Sequence, residues 1–344
     1  MSLRARAGQD TKAAMQTFPV WLLCWQWLLS ILSLGAAAAA GLPAVLALTL
    51  LAGRRGNARL CAFGAGRMAR LAFRLAPLGI FCAVGDHLGL IVQLRGWAGL
   101  AGLYPLHPAM LPATSAALAW LAGMVCLFFY LKADAAAPLP ALPEADQRRV
   151  KGRKTAPDPA LSQWEAPEFR SRLILALAAL GCFFAALALP RWPFAGLPQG
   201  MELSAAAEAV LSTSIHDLFA ALSPAGAAAL LALTCLRTGP EGAPPAEDAL
   251  RKAGRWCALW ALLGYIPRCL DRWGLFVGVS LRPGPLPPDV AAQALGLIPL
   301  TLAIACWALL FALRAPRRIL WLNLLAIFFL LVRQSLPFVL RLAQ

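Results

Sequence analysis

The chain has 344 residues, of which 60% are hydrophobic and only 14% charged, with a formal net charge of +15 and a mean hydropathy of +0.68. That composition excludes an ordinary soluble domain. The positive charge collects in alternate connections between apolar runs, which argues against a basic face for nucleic acid and for a chain that threads a membrane.

In chain order, eight apolar runs predict an all-α, polytopic bundle of about eight transmembrane helices: Phe18–Leu51, Met68–Ile91, Pro108–Leu131, Leu173–Leu189, His216–Cys235, Trp256–Val279, Val290–Leu313 and Ile319–Leu340. A helix of about 20 mostly apolar residues crosses roughly 30 Å of hydrocarbon while satisfying its own backbone. The first run is longer than the apolar core of a signal peptide and lacks a small-residue cleavage site after it, so it is expected to remain. Arginines such as Arg54, Arg55, Arg59, Arg67, Arg70 and Arg74 follow the first run. Lys132, Arg148, Arg149, Lys151, Arg153, Lys154, Arg170 and Arg172 follow the third, Arg237, Arg251, Lys252 and Arg255 the fifth, and Arg314, Arg317 and Arg318 the seventh. The even-numbered connections are nearly bare. Basic connections stay in the cytoplasm, which places the N and C termini outside, although Arg4, Arg6 and Lys12 in the N-terminal tail pull the other way.

The long connection 133–168, rich in proline, alanine and charge, predicts a cytoplasmic connector between a first membrane half at 1–132 and a second at 169–344. Pro190, Pro193 and Pro198 precede an amphipathic stretch around Glu202 and Glu208, expected to be a short helix lying on the outer surface. Pro283, Pro285, Pro287 and Pro288 mark an extended outer loop.

The nine cysteines stand singly, with no CxxC pair, which excludes the usual iron–sulfur and zinc spacings, and no metal site is expected. With His87, His107 and His216 the only histidines, no two lie turns apart on one helix, so no haem is expected. Ionisable groups in membrane helices are costly and mark functional candidates. Asp86 and His87 lie at the outer end of the second run, and His216 and Asp217 open the fifth from the same side. Arg268, Asp271 and Arg272 share one face of the sixth at spacing i, i+3, i+4, and Arg333 with Gln334 reaches similar depth on the eighth. Together they predict one polar pocket near the outer surface. Asp271 and Arg272 also suit an interfacial position with their stems turned outward, His216 a helix cap, and Arg333 a structural partner of Asp271.

His87-Leu88-Gly89 at the end of a second helix resembles the His-Leu-Gly signature of the membrane anchor subunits of DMSO reductase-type molybdoenzymes. Phe18-Pro19 opening the first helix, the stretch Leu46–Gly53 closing it, and Arg333 on the eighth are similar to features of that family. Where the family continues with a small or basic residue and proline, this chain has Leu90-Ile91. The resemblance implies an integral anchor in a bacterial cytoplasmic membrane, a subunit of an anaerobic respiratory oxidoreductase. Such an anchor binds menaquinol or ubiquinol near the outer face and passes electrons to a four-cluster ferredoxin-like iron–sulfur subunit that feeds a molybdopterin catalytic subunit. It holds quinone as substrate and no covalently bound cofactor. On this reading His87 accepts the hydroxyl proton and Asp86 or Asp271 relays it, while Arg268, Asp271, Arg272, Arg333 and His216 line the quinol site. Two other readings stand beside it: a polysulfide reductase-type quinone-binding subunit, and a secondary transporter.

Overall fold

The computed structural model describes residues 20–54, 58–95, 111–136, 167–192, 202–235, 247–281, 288–313 and 320–343; the side chains of several helix ends, residues 86–95 among them, lie outside that description. The described residues form eight α-helices: α1 (Val20–Arg54), α2 (Ala58–Arg95), α3 (Leu111–Ala136), α4 (Pro167–Ala188), α5 (Leu203–Cys235), α6 (Glu247–Ser280), α7 (Pro288–Ala312) and α8 (Leu320–Ala343). A 3-10 turn, Leu189–Arg191, continues α4. Five of the helices, α1, α3, α4, α5 and α7, are long and apolar enough to cross a membrane, and α8 adds a shorter apolar stretch, Trp321–Leu336. This is the character of a multi-pass membrane protein.

Each of the eight apolar runs falls on one helix, but α2, α5 and α6 begin well before their runs do. The cause is local: Ala58–Arg67, Leu203–Ile215 and Glu247–Arg255 are rich in alanine, leucine and charged residues that favour helix, with no proline to stop it. The expected short surface helix around Glu202 and Glu208 is therefore the first part of α5, which runs unbroken for 33 residues, about 50 Å. Pro43, Pro77, Pro224, Pro267 and Pro299 all sit inside helices. Each removes one intrahelical hydrogen bond, a tolerable loss where neighbouring helices enclose the freed carbonyl.

Packing divides the helices four and four. Helices α1 to α4 pack in sequence order and α1 closes on α4; α5 to α8 do the same, and α1 packs extensively on α5 to join the two groups. Helix α4, grouped by the sequence with 169–344, instead packs chiefly on α3 and α1. The connector thus falls within the first group. Short-range order along the chain could not reveal this, since nothing in 133–168 says which way the chain returns.

Small residues make the central approach possible. A Cβ on Gly41 would strike the backbone of Ala221, one on Gly226 the backbones of Cys257 and Ala261, and one on Gly264 those of Phe219 and Ser223. The central helices α1, α5 and α6 therefore touch backbone to backbone, as membrane helices do where packing rather than water exclusion drives association. Polar side chains tie the same helices. The Trp256 indole donates to Thr49 Oγ1 at 2.9 Å, and Ser223 donates to Ala261 O at 2.6 Å. Asn323, fully buried on α8, donates to Ala227 O of α5 and accepts from the Trp307 indole of α7, each at 3.0 Å. Large apolar side chains turn outward instead, among them Leu118, Val125 and Phe129 on α3 and Ile298 and Leu309 on α7.

Candidate functional site

Because sequential neighbours run antiparallel, charged groups sort to two ends of the bundle. At the end where α3 stops and α4 starts, Arg172 is buried with its guanidinium 3.6 Å from Asp134 and donating to Ala133 O at 3.1 Å. Asp134 sits over Gly66, where α2 carries Arg67 and Arg70. At the opposite end, α4 stops in its 3-10 turn, and this end holds the candidate site.

A cavity of about 400 Å³ opens there between the two four-helix groups, within the roughly 300–1,000 Å³ usual for small-ligand sites. Its walls are small and apolar: Ala36, Ala37 and Ala40 of α1, Gly79 of α2, Ala116 of α3, Ala186 of α4, and Ala220 and Ala221 of α5. Trp120 closes one side. Its indole donates to Ala76 O at 2.6 Å and its ring meets Phe183 edge-on at 4.6 Å, over a glycine, Gly79, whose missing side chain makes room for the indole. Trp120 stands nine residues into α3, about 14 Å from its start, so the cavity lies toward one end of that helix.

The mouth is charged. Asp217 accepts a hydrogen bond from Arg191, which also donates to Leu187 O at 2.6 Å, and the Arg268 guanidinium stands 3.7 Å from the other oxygen of Asp217. Two guanidiniums thus face one carboxylate, all three partly exposed and lining the cavity. Deeper, Tyr265 is buried and stacks on Trp307 with ring centroids 6.4 Å apart, while the Arg333 guanidinium covers it at 5.7 Å. Gln334, next to Arg333, lines the cavity, and its buried Oε1 has no hydrogen-bond partner.

Of the residues expected from the sequence, Arg268 lines the cavity and Arg333 reaches it through Tyr265. His216 and Asp271 pair with each other at 3.9 Å on the exposed flank of α5 and α6, and Arg272 lies half-buried on the same stretch of α6. Asp271 takes His216 as its partner, and Arg333 takes an aromatic face. The backbone of α2 stays helical through Asp86 and His87 and on to Arg95, so His87-Leu88-Gly89 does not end the second helix as the sequence predicted, and the side chains of Asp86 and His87 lie outside the described residues. His107 lies outside them altogether. The sequence did not single out Arg191, Tyr265 or Trp120 as site residues. Tyr265 had a signal, three positions before Arg268 and so on its face. Trp120 had none, because its role depends on a glycine on another helix. Among the described residues no group of three His, Cys, Asp or Glu is placed to hold a metal.

An apolar chamber with a net positive mouth favours an amphipathic ligand that carries, or can acquire, negative charge at its polar end. No family model, no curated protein and no solved structure matches this chain.

Proposed function

We propose that the chain is the quinol-binding membrane anchor of a respiratory oxidoreductase complex, with eight crossings, both termini outside and the cavity near the outer face of a bacterial cytoplasmic membrane. The observation that carries the proposal is the cavity itself: an apolar chamber of quinone-ring size whose mouth holds Arg191, Asp217 and Arg268. It lies along α2, the helix that carries Asp86 and His87.

The chemistry follows from charge. A quinol gives up two protons and two electrons to become a quinone, and it releases electrons more readily once a hydroxyl has ionised. The two guanidiniums, opposed by a single carboxylate, favour the anion. Asp217 bridges the two arginines and fixes where they point. Proton acceptance falls to His87 and Asp86 on α2, and the exposed His216–Asp271 pair offers a path to outside water. Electrons pass to an iron–sulfur partner docked on the outer connections near Trp97–His107 and Arg191–Glu202, and from there to a molybdopterin subunit.

A second reading, secondary transport, has one observation in its favour. Pro43 of α1 and Pro224 of α5, and Pro77 of α2 and Pro267 of α6, stand at matching places in the two four-helix groups beside the cavity, and interrupted helices of this kind often flank transported ligands. Against it, the charged groups that line the cavity stand toward one end of the bundle.

Purification in mild detergent decides between the two readings. A co-purifying iron–sulfur protein whose clusters are reduced by added quinol supports the anchor, with His87→Ala lowering that reduction roughly 10²-fold while assembly persists. Recovery of the chain alone, with quinol-independent solute uptake in vesicles, refutes it.

A further inference from the structure

We infer that the outer ends of α5 and α6 form the seat for a water-soluble protein subunit, one whose apolar contact patch is bordered by lysine or arginine. The inference deepens the anchor reading and rests on its claim that a soluble partner docks at this face. The hydrocarbon boundary here is marked in three ways. Arg172 and Arg191, at the two ends of α4 and its 3-10 turn, stand 19 positions apart, about 29 Å, close to the roughly 30 Å of a hydrocarbon core. Trp192 and Trp273, both partly exposed, lie beside the outer level, where indoles favour the interface. His216 and Asp271, paired at 3.9 Å, have side chains 55% and 62% exposed, and an ionisable pair so open does not face lipid tails.

Both helices continue past that level. From His216 back to Leu203, α5 rises about 20 Å, and from Asp271 on to Ser280, α6 rises about 13 Å. The headgroup layer on each side is only about 5–8 Å deep, so both ends reach water. They are nevertheless apolar. Leu203 and Leu211 of α5, Leu275 and Val277 of α6 and Leu281 just beyond it are exposed, and no residue of 273–281 is buried. Side chains like these need no explanation against lipid, but in water they mark a docking surface. Charge selects the occupant. Glu202 and Glu208 stand exposed beside the leucines, and 202–216 and 273–281 contain no lysine or arginine. An anionic membrane surface would repel the glutamates and finds no cations to hold. A second copy, related by an axis along the membrane normal, would bring each glutamate to the height of its own twin. Of the chain's outer connections, 96–110 and 193–201 hold no lysine or arginine and 282–287 holds only Arg282. A separate subunit with a basic rim satisfies both the leucines and the glutamates.

The test is photocrosslinking in intact cells of the native host, with p-benzoylphenylalanine replacing Leu211 in the full chain and, as a lipid-facing reference, Leu309 of α7. Adducts are identified by mass spectrometry. The probe at position 211 should join one soluble protein, at a peptide that carries lysine or arginine, and the probe at 309 should join lipid. Glu202→Lys combined with Glu208→Lys should lower the protein adduct about tenfold, the scale of a few charge pairs at an interface rim. The lipid adduct at 309 should stay unchanged, which shows that the variant is folded and inserted. An adduct at 211 to lipid, to a second copy or to the chain's own connections overturns the inference, as does no adduct, or one indifferent to the charge reversal. The anchor reading fails separately. A soluble protein joined at 211 that carries no iron–sulfur cluster sinks that reading and leaves the seat standing, whereas an iron–sulfur protein that co-purifies but never joins at 211 sinks the seat and leaves the reading.

Discussion

Helix α8 brings Gln334 and Arg333 to the cavity, and its seat on the bundle depends on Asn323, about eleven residues earlier. Replacing Asn323 by leucine removes two buried hydrogen bonds, to Ala227 O and from the Trp307 indole, each at 3.0 Å. At about 0.6 kcal/mol for an average interhelical hydrogen bond in a membrane protein, the pair contributes about 1.2 kcal/mol. The greater cost comes from the indole N–H left behind, since Trp307 is fully buried and no water can replace the lost acceptor. An orphaned buried donor costs about 1–3 kcal/mol, so Asn323→Leu should destabilise by about 2–4 kcal/mol. The assay is reversible unfolding in mixed micelles with increasing SDS, followed by tryptophan fluorescence and circular dichroism. Trp307→Phe removes the orphan, so the double variant should be more stable than the sum of the two single losses by about 1–2 kcal/mol. Losses that add within about 0.3 kcal/mol would show that the two side chains are not bonded, and the seating of α8 on Ala227 and Trp307 would be wrong.

Close packing of the central helices predicts that Gly226→Leu abolishes accumulation of folded protein, whereas Gly181→Leu on α4, which has open space around it, leaves it near normal by gel filtration. The Cys126 and Cys182 thiols, on α3 and α4, lie within hydrogen-bonding reach of each other. With a protease site inserted near Glu144, copper-phenanthroline oxidation should hold the two cleaved fragments together until a reductant is added, and fragments that separate without reductant would refute the α3–α4 register. Arginine asymmetry predicts that reporters after Gln344 and near Pro285 read as external and one near Glu144 as cytoplasmic. An internal C terminus would place the cavity at the wrong face for the proposed partner.

By itself the sequence determined that this is a helical chain of multi-pass membrane character and where its eight helices lie, five of them long and apolar enough to cross a membrane. These follow from local physics: hydrocarbon demands an internally bonded backbone, and each run of apolar residues declares itself without reference to its neighbours. The depth of Arg268 and Arg333 was readable for the same reason, as a count along a helix of known rise. Partnership was not readable. That Asp217 faces Arg191 and Arg268, that Arg333 covers Tyr265 while Asp271 meets His216, and that α4 joins the first group were decided by which helices approach each other. That approach depends on glycine and alanine contacts between distant segments, such as Gly41 on Ala221, and small residues are so common in this chain that no single one announces its partner. The cavity likewise belongs to no segment, for it is the space left where seven helices meet and none of their small side chains fills it.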